Sequence, residues 1–198
     1  MTVYIYLILS FKIKNMKTSL IITTINKLNK NMRKFAVNSK IKKWDLIIIG
    51  DRKSPKNYRL TYGEYLNLYA QRKTSLKFAK ICPENRYARK NIGYLIAIRN
   101  NSDLIIETDD DNYPKKEFFE KKKLIHSVRE ITNKGWINIY DLFLKKKIFV
   151  WPRGLPLDKI DKNKIKLSRK KSQKFYLQQG VCENNPDVDA IYRLLNKR

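Results

Sequence analysis

Short, branched apolar runs that alternate with helix-length amphipathic segments predict an α/β fold, a mostly parallel central sheet flanked by helices. Three runs carry that reading: Lys17–Asn26 (KTSLIITTIN), which runs into a polar turn, Trp44–Ile49 (WDLIII), closed by Gly50-Asp51, and Asp103–Thr108, with Leu104-Ile105-Ile106 at its centre. Each is nearly continuous in Ile and Leu and ends in polar residues, as strands buried on both faces do. Between the first two, Lys27–Lys40 places Leu28, Met32, Phe35 and Ala36 on one helical face. Before the third, Glu84–Asn100 sets Tyr87, Ile92, Leu95, Ile96 and Ile98 at helical spacing. In such sheets ligands bind beyond the carboxyl ends of the strands, which points to Thr23–Asn26, Gly50-Asp51 and Asp109–Asp111.

The second half is less regular. Trp136–Phe143, Lys147–Val150 and Gln173–Val181 are strand candidates, and Trp151–Pro156 is a stiff turn. Asn185-Pro186-Asp187 opens a helix that runs through Leu194, with proline and carboxylates at its start. At the other end, Met16 immediately precedes the first strand, so residues 1–15 are expected to be a dispensable extension and 16–198 a single domain. Thr2–Phe11 has no Lys or Arg before it and no A-x-A-like site after it, and is a poor signal peptide.

A chain of 198 residues that is 42% hydrophobic and 12% aromatic can bury a core, which excludes a disordered basic tail. No apolar run reaches the roughly 20 residues needed to cross a bilayer as a helix. Cys82 and Cys182 lie far apart without metal-ligand or disulfide spacing, so a reducing, cytoplasmic compartment is expected. The 44 Lys and Arg against 18 Asp and Glu leave a formal charge of +26, a field that attracts any polyanion. Lys supplies 32 of the 44, and Lys, Asn and Ile together make 74 of the 198 residues, a bias that suits composition better than specific phosphate reading by Arg. No specific nucleic-acid motif is present; peripheral contact with an anionic membrane is among the things the charge allows. The densest run, Lys159–Lys174, reads as a solvated loop.

Chemistry concentrates at Thr108-Asp109-Asp110-Asp111-Asn112, directly after a buried strand. Three adjacent carboxylates repel one another unless a cation or hydrogen-bond donors offset them. A divalent metal held by one or two of them and completed by phosphate oxygens would do so. Arg153 stands between Pro152 and Gly154 in a turn stiff enough to serve as a phosphate clamp. His126, the only histidine, follows a Lys-rich helical segment and reads as a surface residue. Trp136 and Trp151 read as core or pocket wall.

Six segments in order resemble the glycosyltransferase-like domain of the plant STELLO proteins and their microbial and viral relatives. They are ITTIN at Ile22–Asn26, WDLIIIGD at Trp44–Asp51, YARKNIGYLIAI at Tyr87–Ile98, ETDDDN at Glu107–Asn112, WPRGLPL at Trp151–Leu157 and NPDVDAIYRL at Asn185–Leu194. A more distant similarity runs to the reversibly glycosylated polypeptides, which are UDP-arabinopyranose mutases. The resemblance implies a GT-A, Rossmann-like fold and a nucleotide-diphospho-sugar donor, a UDP-sugar. It also implies Mn2+ or Mg2+ held by Asp109 and Asp111, with Asp110 between them and Asp109 turned toward ribose or metal. By the same similarity Thr23, Thr24, Asn26 and Asp51 line the nucleoside pocket, and Arg89 or Lys90 reaches uracil, ribose or diphosphate. Asp187, and second to it Asp189, is the expected general base toward an acceptor hydroxyl on a glycan, lipid or protein. The plant relatives are larger and membrane-anchored, so a minimal transferase, a donor-binding half or a gene fragment is expected here. Two other functions stay open: a UDP-sugar mutase, and a non-catalytic basic module for nucleic acid or membrane.

Overall fold

The computed structural model describes residues 5–8, 16–143, 149–159, 165–180 and 188–195. Its elements run β1 (Ile5–Ile8), β2 (Thr18–Thr24), α1 (Lys30–Lys42), β3 (Asp45–Gly50), β4 (Glu64–Leu66), α2 (Leu68–Lys73), α3 (Lys77–Ile81), α4 (Lys90–Arg99), β5 (Leu104–Asp109), β6 (Ile125–Val128), α5 (Tyr140–Phe143), β7 (Lys171–Lys174), β8 (Leu177–Gln179) and α6 (Ala190–Leu195). They form two compact units, one of residues 2–124 with 176–180 and one of residues 125–175 with 181–198.

The first unit is built on a six-stranded sheet of order β4-β3-β2-β5-β1-β8. Strands β4, β3, β2 and β5 are parallel, while β1 runs antiparallel to β5 and β8. This is the mostly parallel α/β sheet the sequence predicts, and it fits a GT-A-like fold. One element departs from expectation: Ile5–Ile8, inside the stretch read as an extension, pairs with Leu104–Glu107.

The pleat of β2, β3 and β5 divides the core into two layers. Leu20, Ile22, Leu46, Ile48, Leu104 and Ile106 meet α1, while Ile21, Ile47, Ile49 and Ile105 meet α4. On the first face Met32, Phe35 and Ala36 of α1 are fully buried, as the sequence spacing requires. Phe35 there packs edge-on against Phe118 with ring centroids 5.4 Å apart. The Lys-rich stretch before His126, expected to be helical, is instead one 3-10 turn at Lys116–Phe119 that drives Phe118 and Phe119 into this core. On the second face Gly93 lets α4 settle onto the strands, because a Cβ there would stand 2.5 Å from Ile21 Cγ2.

Helix α1 is capped at its start by the Asn29 side chain, which accepts from the Met32 N–H at 2.9 Å. It ends with Lys43 in the left-handed region (φ 56°) and Trp44 N–H bonded to Ser39 O at 2.9 Å. Helix α4 ends the same way at Asn101 (φ 56°), with Ser102 N–H on Ala97 O.

The second unit pairs β6 with β7 antiparallel. Its buried side chains include Tyr140, Val150, Trp151, Leu155 and Val188. Several expectations change here. The strand expected at Trp136–Phe143 is an irregular segment followed by the short helix α5, and Trp136 is exposed at 57% rather than core. The strand expected at Gln173–Val181 divides, its start in β7 and its later residues in β8 of the main sheet. The same β7 takes up the end of the Lys-rich run expected to be a loop throughout. His126 lies on β6, half-buried, its ring centroid 6.4 Å from that of Phe175. Of the strand candidate at Lys147–Val150, the first two positions lie outside the described residues, and Phe149 and Val150 take no regular secondary structure.

Candidate functional site

From β2 the chain moves outward to β3 and β4, then returns to add β5 on the other side of β2. Strand order therefore reverses between β2 and β5, and the carboxyl ends of an open parallel sheet form a crevice at such a switch point. The register brings three strand ends level: Thr23 pairs with Ile49 and with Asp109, and Thr24 with Gly50. A cleft of about 660 Å³ opens there. It is lined by Thr23, Thr24, Asn26 and Asp51, by Arg89, and by Asp109–Asp111. That size lies within the usual range for pockets that enclose a small organic ligand.

The pleat gives the three aspartates different surroundings. Asp110, 6% exposed, turns toward the α1 layer. Its Oδ2 accepts a short hydrogen bond from the Thr24 hydroxyl and another from Asn26 Nδ2 at 3.0 Å. The main chain of the same turn is held from α1: Asn29 Nδ2 donates to Asp110 O at 3.0 Å, and Asn31 Nδ2 to Asp111 O at 3.2 Å. Asp109 turns toward the α4 layer, where Lys90 Nζ lies 2.8 Å from its Oδ1 and 3.9 Å from Glu107 Oε2. Asp111 stands at the tip, and no ion pair among the described residues reaches it. Burial and the charges of Asp109 and Asp110 push its carboxyl above the usual range. Glu107 is raised too, mainly by burial and further by Asp109, with Lys90 pulling the other way.

The opposite wall rests on a buried polar relay. Arg89, 2% exposed, donates from Nη1 to Cys82 O at 2.9 Å and from Nε and Nη2 to Gln71 Oε1. Gln71 is itself fully buried and donates from Nε2 to Gly50 O and Leu66 O, both at 2.7 Å. The relay thus fixes the end of β3 from behind. In front, Asp51 Oδ1 accepts from the main-chain N–H of Arg52 at 2.7 Å and of Asn85 at 3.0 Å. Glu84 then ties the two loops together through Arg52 and Arg72. Ser54 closes the β3 loop onto β2 by donating to Thr24 O at 2.5 Å.

A hard divalent cation fits this donor set. Asp109 and Asp111 offer two oxygen ligands at the cleft, while Asp110 is spent on the fold. Among the described residues no group of three or more His, Cys, Asp or Glu side chains could hold a metal by themselves. Ligands beyond two carboxylates would have to come from the bound molecule.

Against known proteins, no family model matches the chain. Two curated proteins of Arabidopsis thaliana do: probable glycosyltransferase STELLO2, 29% identical over 77% of this chain, and probable glycosyltransferase STELLO1, 28% identical over 80%. The chain is similar to these two proteins over more than three quarters of its length. It spans only 22% of the length of each of these relatives. No helix among the described residues is long and apolar enough to cross a membrane.

Eight of the residues expected at the site converge on one cleft, and Lys90 joins them through Asp109. The remaining expectations fall in the second unit. Arg153 occupies the exposed corner of a turn closed by Leu155 N–H on Pro152 O at 3.2 Å, with Gly154 at φ 86°. Asp189 caps α6, its Oδ1 accepting from Ile191 N–H at 2.8 Å. Asp187 lies outside the described residues. Sequence reasoning missed Gln71, Asn29 and Asn31. Asn29 carries a legible cap signal ahead of α1, but its second bond, to the acidic turn, depends on a residue 81 positions further along, and Gln71 carries no sequence signal at all.

Proposed function

We propose that this domain binds a UDP-sugar with Mn2+ or Mg2+ in the crevice between β2 and β5 and transfers the sugar to an acceptor hydroxyl. The observation that carries the reading is the acidic turn: two carboxylates open to a nucleotide-sized cleft at the switch point of a parallel sheet, one of them in no ion pair among the described residues. The similarity to two proteins named probable glycosyltransferases supports the reaction class.

In this reading Asp109 and Asp111 hold the cation, and oxygens of the diphosphate complete its shell. The metal supplies neutralisation of the charge that develops on the departing nucleoside diphosphate. Asp110 keeps the turn in place rather than binding metal. Lys90 orients Asp109. The choice of base follows from the opposite wall. Asp51 has one carboxylate oxygen taken by two main-chain N–H groups, which leaves Oδ2 for one further donor. Arg89 supplies a buried cation behind it. A single open acceptor suits the N3–H of uracil's imide edge. Guanine presents two adjacent donors and is best read by both oxygens of a carboxylate.

Thermal melting of the purified chain with UDP, GDP, UDP-glucose and UDP-galactose, each with and without Mn2+ in moderate salt, tests this. A uridine ligand at 100 times its Kd stabilises the folded state by about 2.7 kcal/mol, a rise of roughly 5–10 °C for a chain of this size. The rise should require Mn2+, be absent with GDP, and vanish in Asp111→Ala. That variant alone should melt no lower than the parent, since it removes a carboxylate whose neighbours repel it. Uridine binding that ignores metal, or survives in Asp111→Ala, would sink the assigned site.

A further inference from the structure

The outer face of α1 has a composition that neither the fold nor the cleft explains. The inner face, Met32, Phe35, Ala36 and Ser39, is fully buried and fixes the helix's rotation. Opposite it, Lys30, Lys34, Val37 and Ile41 follow one another at three- and four-residue spacing along the solvent crest. Val37 is 48% and Ile41 68% exposed, two branched apolar side chains where solvent-facing helix positions favour polar ones. Around them stand Lys30, Arg33, Lys34, Lys40 and Lys42; the helix carries no acid. Among the described residues none of these five cations is ion-paired, whereas Arg52, Arg72, Lys90 and Lys171 all are. Beside the crest Tyr113, half exposed, lies with its ring centroid 3.9 Å from Lys34 Nζ.

We propose that this face docks the domain on an anionic phospholipid surface. An apolar pair ringed by cations, with an aromatic at the margin, is the chemistry of an interfacial helix: Val37 and Ile41 enter the boundary between headgroups and acyl chains while the cations meet lipid phosphates. A nucleic acid would satisfy the cations and leave the two apolar side chains with nothing to contact, because its backbone is anionic and its bases stack on aromatic rings. The long stems of the surrounding lysines can lie along the apolar strip and still place their ammonium groups at phosphate level. Tyr113 directly follows the turn Asp109–Asn112, and Asn31 of the same helix holds Asp111 O. Docking by this face therefore sets the acidic side of the cleft beside the lipid. The proposal holds whatever the cleft binds.

Flotation of the full chain with phosphatidylcholine vesicles, and with vesicles in which about a third of the lipid is phosphatidylglycerol, tests it at about 0.15 M salt. Binding is expected to the anionic vesicles only. The pair Val37→Asn and Ile41→Asn should weaken it at least tenfold while leaving binding to a single-stranded oligonucleotide unchanged. The triple change Lys30→Gln, Arg33→Gln and Lys34→Gln should weaken it about a hundredfold, at roughly fivefold per cation near the surface. Changing two equally exposed lysines elsewhere, Lys77→Gln with Lys80→Gln on α3, should lower it no more than the general loss of charge requires. Vesicle binding unaffected by the apolar pair, or lowered as much by the α3 pair as by the α1 triple, would overturn the proposal in favour of diffuse polyanion attraction. Lys34 is half-buried and the other positions are exposed, and a melting curve for each variant separates lost binding from lost fold.

Discussion

Among the described residues the two walls of the cleft each bury a charge outside any ion pair, and they do so with opposite signs. On the α1 side the carboxylate of Asp110 is held by the hydroxyl of Thr24 and the amide of Asn26. On the α4 side the guanidinium of Arg89 is held by the amide oxygen of Gln71 and the carbonyl of Cys82. Among the described residues neither takes part in an ion pair. Neutral partners satisfy the hydrogen bonds of a buried charge but leave its field in place, whereas an ion pair would cancel it. The cleft therefore keeps a negative edge at the acidic turn and a positive one behind β3. That pattern suits a ligand carrying both a metal-bound anion and a polar ring.

The wall that depends on a single neutral side chain should break hardest. Gln71→Leu removes the only described acceptor of Arg89 Nε and leaves Gly50 O and Leu66 O without their amide donor. Stranding a buried cation and two buried carbonyls should cost about 3 kcal/mol in urea unfolding. A loss below about 1 kcal/mol would mean that water reaches Arg89 and that the wall is less dry than its burial suggests. The α1 wall should give way by less. Asp110→Ala deprives Thr24 and Asn26 of their acceptor, but it also relieves repulsion among three adjacent carboxylates, so about 2 kcal/mol is expected. Asp110→Asn, which keeps an acceptor and drops the charge, should recover at least half of that loss. If Asp110→Asn is as damaging as the alanine, the charge itself holds the turn and the neutral-partner account of this wall fails.

How much can be read in advance differs between the walls. The acidic turn is legible because its residues are contiguous and follow an apolar run, so strand and carboxylates announce each other. Thr24 and Asn26 are legible in the same way at the end of β2. Gln71 is not, because its bonds to Gly50 O and Arg89 join residues 18 to 21 positions away, and nothing local sets it apart from a surface glutamine. β1 escapes for a related reason. A run such as Ile5–Ile8 is equally compatible with an extension and with a strand, and only its pairing with β5 decides. In the second unit the expected strand at Trp136–Phe143 fails because the Asn138 side chain accepts from the Tyr140 N–H at 3.2 Å, a local bond that starts a helical turn within an apolar-aromatic run. Arg89 and Lys90 show a subtler limit. In the sequence they are two adjacent cations, and only the structure separates the one that braces Gln71 from the one that faces Asp109.

The smallest expected effect lies on the α4 side, where charge is unevenly matched. Glu107 and Asp109 share Lys90, and burial together with Asp109 raises the Glu107 carboxyl above its ordinary value of 4.5 even with Lys90 3.9 Å away. A carboxyl raised in the folded chain binds its proton more tightly there than in the unfolded chain. Its contribution to stability is therefore complete below pH 4.5 and is lost as pH rises through the folded value, the reverse of an acid stabilised by a salt bridge. Glu107→Gln fixes the uncharged form. It should flatten the stability curve on the alkaline side of pH 4.5, with stability at neutral pH unchanged or slightly increased, as read from urea midpoints between acid and neutral pH. A clear loss at neutral pH would mean that attraction to Lys90 outweighs the cost of burying Glu107. Lys90 would then hold the α4 side through Glu107 as well as through Asp109, and the uncompensated charge on that side would be that of Arg89 alone.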